Sequence, residues 1–315
     1  MVHSLFLQLT ANGITINNVV PGVIYTDRNV ESPSDLAYAK MVIDSIPVDF
    51  YETGGVRRHC QSALLRAGAL HHRVNHLYGR RQKRTMKIRW IGQNGYQLKT
   101  AQTEILIDPY LSDIVNRLEH RPRLVPCPLD PKTIQADAVI CSHNHIDHLD
   151  PDAVAEMPAD QRFITTKEGL ETLTKLGRTN AQAITVDESI RVGDFTITAV
   201  FADHPCEVFG VIAEAEGVRL YFSADSLYNE KLFDIATYYP DVAFICINGK
   251  LGNMNYHEAA VTVKKIGARI NVPTHYGMFA SNTEDPAKFT AEVPNSFVMD
   301  FDREYDVSEI LQAQS

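Results

Sequence analysis

The sequence has no CxxC pair, and its five cysteines, Cys60, Cys127, Cys141, Cys206 and Cys246, make an odd total. That spacing argues against a disulfide framework, and reduced thiols in a cytoplasmic protein fit it best. Cys141 would need a second thiolate nearby to build a zinc site, so it reads as a small buried apolar residue. No apolar run approaches the roughly 18 residues of a membrane span. The first residues, MVHSLFLQLTANG, lack the basic start, long apolar stretch and small-residue cleavage site of a secretory signal. Positive charge is also scarce: the formal net charge is -9, which argues against a nucleic-acid partner. Internal repeats and low-complexity tracts are missing too. What remains is an ordinary globular composition, 44% hydrophobic and 22% charged, in 315 residues. That is enough for one large domain or two modest ones with a substantial core.

Charge is spread unevenly. Residues 57–89 hold ten Lys or Arg and no Asp or Glu, whereas residues 1–56 sum to -4 and residues 90–315 to -15. So short a basic run reads as a solvated linker, with docking onto the acidic part as the alternative. Its histidines, as in HHRVNH, have no carboxylate or thiolate company. Ahead of it, LFLQLTANGITINNVVPGVIYTDRN resembles the late region of a short-chain dehydrogenase. The helix would span Leu5 to Thr10, the strand Ile14 to Val20, and the turn Pro21-Gly22. That family's Gly-rich nucleotide loop and Tyr-x-x-x-Lys pair have no counterpart upstream, and one strand cannot assemble a Rossmann sheet. The expected organisation is a dehydrogenase-like remnant at 1–56, a basic linker at 57–85 and a second, larger domain at 86–315, with Met86 as its natural start.

From Met86 onward, short β-type runs are separated by turn residues. KIRWIG, GYQLKT, EILIDP and ADAVICS come first; RFITTK, FTITAVFA, GVIAEA, VRLYFSA, VAFICIN and INVPTHY follow. Amphipathic periodicity predicts helices over Lys167–Leu176, Tyr256–Ile266 and Pro286–Val293. Strands first and helices interspersed imply two packed sheets with helices outside.

The chemistry concentrates in CSHNHIDHLD, residues 141–150, directly after a buried strand. His143, His145, Asp147 and His148 spell HxHxDH, four ligand-type side chains in six residues. Two histidines two apart on such a turn can point both rings into one cavity, and the Asp and third His supply a second set. Imidazole with carboxylate suits zinc, manganese or iron rather than calcium or magnesium. Four ligands do not complete two shells, so other strand ends must contribute. His204 follows TITAVFA, Asp225 follows VRLYFSA and His275 follows INVP. Asp203 adjoins His204 and competes for the same role, with His204 the preferred candidate.

This pattern resembles the metallo-beta-lactamase superfamily. Within it, RLVPCPLDPKTIQADAVICSHNHIDHLD, SADSLYNEKLF, INGKLGNMNYHEAA and VPTHYGMF are most similar to L-ascorbate-6-phosphate lactonase-type hydrolases. The resemblance implies an α/β fold, the four-layer αββα sandwich, over about Met86 to Asp300. It implies two divalent transition-metal ions, zinc or manganese, with iron a third candidate. His143, His145 and His204 would hold one ion, and Asp147, His148 and His275 the other, with Asp225 bridging. Water between the metals would serve as the hydroxide nucleophile. Asp147 would also be catalytic, orienting that nucleophile or shuttling its proton.

Other residues have narrower readings. Asp108, in ILIDPY, either supports the ligand loops or caps its turn. His257 reads as a helix-start residue and His120 as a surface one. Arg121, Arg123, Lys250 and the Asn248-Gly249 turn are candidates for holding an anionic group, the planar fork of Arg123 being suited to phosphate or carboxylate. The expected substrate is a small anionic lactone or phosphorylated sugar-acid ester, with no nucleic acid or membrane as partner. Self-association into a homo-oligomer is compatible with this composition. The competing functions are a phosphodiesterase or nuclease of the same superfamily, needing a basic face, and a non-catalytic metal-binding fusion protein.

Overall fold

The computed structural model of the protein describes residues 86–313. The remnant expected at 1–56 and the linker expected at 57–85 lie outside these residues. The first sheet begins with β1 (Lys87–Gly92), β2 (Gly95–Lys99) and β3 (Glu104–Ile107) and continues with β4 (Ala138–Ile140), β5 (Phe163–Thr165) and β6 (Ala181–Ala183). The second contains β7 (Ser189–Val192), β8 (Phe195–Val200), β9 (Gly210–Ala215), β10 (Val218–Phe222), β11 (Val242–Cys246) and β12 (Ile270–Thr274). A last strand, β13 (Glu304–Asp306), returns to pair antiparallel with β1, giving the orders β13-β1-β2-β3-β4-β5-β6 and β12-β11-β10-β9-β8-β7.

Alternation along the strands decides the layering. In β3 and β4, Ile105, Ile107, Ala138 and Ile140 join the large core between the sheets. Leu106 and Val139 point the other way, into a separate cluster with Val154, Met157 and Leu173. Those last residues belong to or flank two helices, α2 (Pro151–Glu156) and α3 (Lys167–Lys175), which follow α1 (Ile114–Glu119) in the chain. On the second sheet, β11 is buried along its whole length, as a parallel strand covered on both faces must be. Helix α4 (Tyr256–Ile266) packs on it, with α5 (Pro286–Glu292) against α4. The result is helices, sheet, sheet, helices: the expected four-layer sandwich. Each fully buried Leu, Ile or Phe side chain contributes about 1.5–3 kcal/mol.

Local signals set the helix ends. Asn255 and Glu258 form a capping box at the start of α4, and Gly267 closes it in the left-handed conformation. Asp150 caps α2 ahead of Pro151, accepting from the amides of Asp152 and Ala153. The three predicted helices appear within a residue of their expected ends. Helices α1, α2 and a final α6 (Val307–Gln312), and strands β6, β7 and β13, were not anticipated. They span three to six residues, too short for periodicity to register. Among the described residues, no helix is long and apolar enough to cross a membrane.

Strand direction positions the site. Strands β1, β3 and β4 run one way in the first sheet, and β8, β10, β11 and β12 run one way in the second. Gln93, Asp108, Asp225, Asn248 and His275 follow the carboxyl ends of these strands within three residues, His204 follows within four, and the HxHxDH turn begins three residues past β4. An antiparallel bridge between His143 and Val208 ties the two edges together. Open sheets bind ligands at such carboxyl ends.

Candidate metal centre

Three imidazole nitrogens converge first. His143 Nε2 lies 3.0 Å from His145 Nδ1, which lies 3.2 Å from His204 Nε2. A tetrahedral metal with bonds of about 2.0–2.1 Å would separate its ligands by about 3.3 Å, so these three atoms fit one face of such a shell. The outer nitrogens of His143 and His204 are fixed. Ser142 Oγ donates to Asp108 Oδ2 at 2.6 Å and so accepts from His143 Nδ1 at 3.0 Å. His204 Nδ1 donates to the carbonyl of Gly252 at 3.0 Å, which turns Nε2 toward the other two. Gly252 (φ +87°) is required there, because a Cβ would come within 2.7 Å of His204 Cε1.

Four more donors form the second position. Asp225 Oδ1 is 3.2 Å from His148 Nε2 and 3.1 Å from His275 Nε2, and Asp147 Oδ2 is 3.9 Å from each of the same nitrogens. Asp225 also groups with His143 and His148, so one carboxylate faces donors of both positions. Asp203 turns away: its Oδ2 accepts from Asn229 Nδ2 at 2.8 Å, and His204 is the neighbour that enters the cluster.

Electrostatics separates the two positions. Burial holds the His143 imidazole well below its ordinary range, and the neighbouring His148 charge adds to this. His204 is lowered by burial as well. Burial alone would also depress His148, but the carboxylates of Asp225, Asp108 and Asp147 outweigh it and hold the ring well above its ordinary range. For Asp225, burial opposes ionisation and is overcome by His275 and His148, leaving the carboxyl well below its usual range. The unsatisfied atoms indicate what the cluster accommodates. His148 Nε2 is fully buried and makes no hydrogen bond of acceptable geometry, although Asp225 is close. A buried, unsatisfied nitrogen aimed at carboxylates and imidazoles fits a cation.

Strain collects at the same edge. Gln93 (φ 56°), Asp108 (φ 44°), Ala224 (φ 53°) and His275 (φ 60°) adopt the left-handed region although none is glycine. Such residues persist only where the surroundings over-determine them. Asp108 has both sequence roles in one carboxylate, accepting from the amide and hydroxyl of Ser142 and from His148 Nδ1 at 2.9 Å.

The substrate candidates fare differently. Arg123 does not present a free fork. Its nitrogens donate to the carbonyls of Tyr110, Ser112, Val125 and Pro126, and its guanidinium stacks on the Tyr110 ring at 4.5 Å. These contacts hold a loop. Lys250 Nζ donates to the Ser281 carbonyl at 3.0 Å. Asn248 is buried, its amide nitrogen donating to Asn282 Oδ1 at 2.7 Å. Arg121 pairs with Glu119. His257 faces Glu292 at the start of α4.

Sequence reasoning missed Gln93, Asn94, Thr274 and Cys206. Cys206 lies in one donor group with His143, His145 and His204, two residues beyond His204 in HPC. Gln93 and Asn94 sit in the tight GQNG turn between β1 and β2. Asn94 Nδ2 donates to Asp225 Oδ1 at 2.8 Å, and Thr274 Oγ1 lies 3.1 Å from Asn94 Oδ1.

The two-sheet sandwich with imidazoles and carboxylates gathered at its strand ends defines a metal-dependent hydrolase. The chain belongs to the metallo-beta-lactamase superfamily: a family model described as a beta-lactamase superfamily domain matches residues 103–276, more than half of it. A UPF0173 metal-dependent hydrolase of Oenococcus oeni is 27% identical over 240 residues, 70% of this chain and 100% of the relative. A UPF0173 protein of Pyrococcus furiosus is 27% identical over 208 residues, 66% of this chain and 90% of that one. Among solved structures, Igni18, a metallo hydrolase of Ignicoccus hospitalis, is 22% identical with a TM-score of 0.59, covering 70% of this chain and 97% of its own, and it shows the same fold.

Proposed function

We propose that the protein binds two divalent transition-metal ions and hydrolyses a small lactone or sugar-acid ester. The observation that carries this reading is the placement of Asp225, which groups with His143 and also lies 3.2 Å from His148 and 3.1 Å from His275: a carboxylate with two oxygens can serve two cations at once. His143, His145 and His204 would hold one ion, and Asp147, His148, His275 and Asp225 the other. Bound there, the metals would act as Lewis acids and lower the pKa of attacking water. The protein's own part is orientation and charge. Ser142 and Asp108 fix the rings of His143 and His148, and the Gly252 carbonyl fixes His204. Asp147, the most exposed of the four second-position donors at 19%, is the carboxylate placed to take up or return a proton at the open side.

Charge supports a small ester over a polynucleotide, since the whole chain carries -9 and a polyanion needs a basic face. With Arg123 and Lys250 engaged by carbonyls, a phosphate on the substrate gains no support from them. The free thiols at Cys127, Cys141, Cys206 and Cys246 favour a reducing, cytoplasmic setting. Elemental analysis of freshly purified protein, then a panel of lactones, sugar-acid esters and phosphodiesters before and after chelation, tests the reading. Two ions per chain and chelator-sensitive lactone or ester cleavage are expected. Protein free of Zn, Mn and Fe that still turns over, or cleavage confined to phosphodiesters, would refute it.

A further inference from the structure

The turn that joins β1 to β2 brings a side chain into the second position that the ligand set above does not use. Gln93 is fully buried, and its main-chain carbonyl is pinned by Trp90 Nε1 at 3.0 Å, Thr274 Oγ1 at 2.8 Å and the His275 amide at 3.2 Å. Its backbone is thus locked to the first residue past β12. The side-chain nitrogen lies 2.8 Å from Asp147 Oδ2 and 3.3 Å from His275 Nε2, two of the four donor atoms of that position. The side-chain oxygen, Oε1, is buried and has no hydrogen-bond partner.

These facts conflict with a purely supporting role. The N–H groups of the amide point at a carboxylate oxygen and an imidazole nitrogen, the same lone pairs a cation would use. Once a cation takes those lone pairs, the amide nitrogen loses both acceptors and faces positive charge. The partnerless oxygen is the group that a cation attracts. A half-turn of the terminal amide, a broad and soft torsion, exchanges the two atoms without moving the backbone. Asn94 differs, because both ends of its amide have partners, Asp225 Oδ1 and Thr274 Oγ1, and it stays a donor to the shared carboxylate.

We propose that Gln93 is a further ligand of the second metal ion through Oε1, its amide turning over when the metal enters. The inference rests on the two-metal reading given above. It makes the second position oxygen-rich, with Asp147, Asp225 and Gln93 beside His148 and His275, while the first remains built on three imidazoles. Carboxylate and carbonyl oxygens suit manganese better than all-imidazole sites do, so the two positions differ in metal preference.

The test needs no substrate. Full-length protein is stripped by a chelator and titrated with Mn2+, Zn2+ and Co2+, reading stoichiometry and affinity by calorimetry and ligand number from the visible spectrum of bound Co2+. Gln93→Leu is expected to weaken the second ion by about 10- to 100-fold, more for Mn2+ than for Zn2+, and to change the second Co2+ spectrum as a ligand is lost. Gln93→Glu, which restores an oxygen of the same reach, is expected to keep tight binding and the wild-type spectrum. An unchanged second Co2+ spectrum in Gln93→Leu, whatever its affinity, overturns the proposal, because the amide then acts only by hydrogen-bonding Asp147. If Gln93→Leu does not fold, Gln93→Glu decides: loss of the second ion there overturns the proposal and retention supports it. A wild-type chain that takes up one ion per molecule overturns the two-metal reading, and this inference with it, before any variant is made.

Discussion

Replacing Asp108 by asparagine removes one charge and almost no volume, and three hydrogen bonds end on the atoms it changes. Oδ1 accepts from the Ser142 amide at 2.6 Å, while Oδ2 accepts from the Ser142 hydroxyl at 2.6 Å and from His148 Nδ1 at 2.9 Å. The site is 1% exposed, so water cannot take over. Asparagine offers one acceptor oxygen, and its nitrogen must face at least one donor. Hydrogen bonds to a charged group contribute about 1.5–3 kcal/mol and neutral ones about 0.5–1.5 kcal/mol. Losing one charge-assisted bond and demoting the others gives a destabilisation of about 3–5 kcal/mol, a large share of the roughly 5–15 kcal/mol typical of a domain. The backbone should not contribute, since asparagine tolerates the φ of 44°. Because His148 loses its orienting partner, metal affinity should fall about 10- to 100-fold, mainly at the second position. Urea unfolding of the metal-free protein, followed through the buried single tryptophan Trp90, gives the first quantity and metal titration the second. A variant that loses under about 1 kcal/mol and keeps its metal affinity would refute the account of Asp108 as the common anchor of His143 and His148.

Three further outcomes are expected. Asp225→Asn should weaken metal binding at both positions and His204→Ala mainly at one; equal single-site losses in metal titrations would show that Asp225 is not shared. Metal affinity should depend on pH differently at the two positions. His148 is held above its ordinary range and must give up a proton to become a ligand, so affinity at the second position should rise with pH through neutrality. His143 and His204 are lowered and already neutral there, so the first position should keep its metal to lower pH; simultaneous release of both ions on acid titration would contradict this. A chain starting at Met86 should fold and keep its metal, because the three hydrophobic clusters found among the described residues and every proposed ligand lie within residues 86–313. Aggregation or metal loss in that shorter chain, compared by melting temperature and elemental analysis, would show that the preceding residues are integral to the fold.

Local spacing alone determined much of this protein. The strands that carry the site were legible as short apolar runs, and α4 was legible to the residue, because burial patterns with a period of two or 3.6 need only neighbours in sequence. HxHxDH was legible for the same reason, since four ligand types in six residues are close whatever the rest of the chain does. His204, Asp225 and His275 could be picked out because each follows an apolar strand. Only the tertiary structure decided what meets across distance. It carried the β1–β2 turn to the end of β12, so that Gln93 and Asn94 face Asp147 and Asp225, though nothing in GQNG marks a metal site. It also set the Arg123 guanidinium against the carbonyls of Tyr110 and Ser112, contacts more than ten residues away along the chain that its local sequence does not announce. Side-chain chemistry names the candidates for a role, and the strand ends that packing brings together select among them.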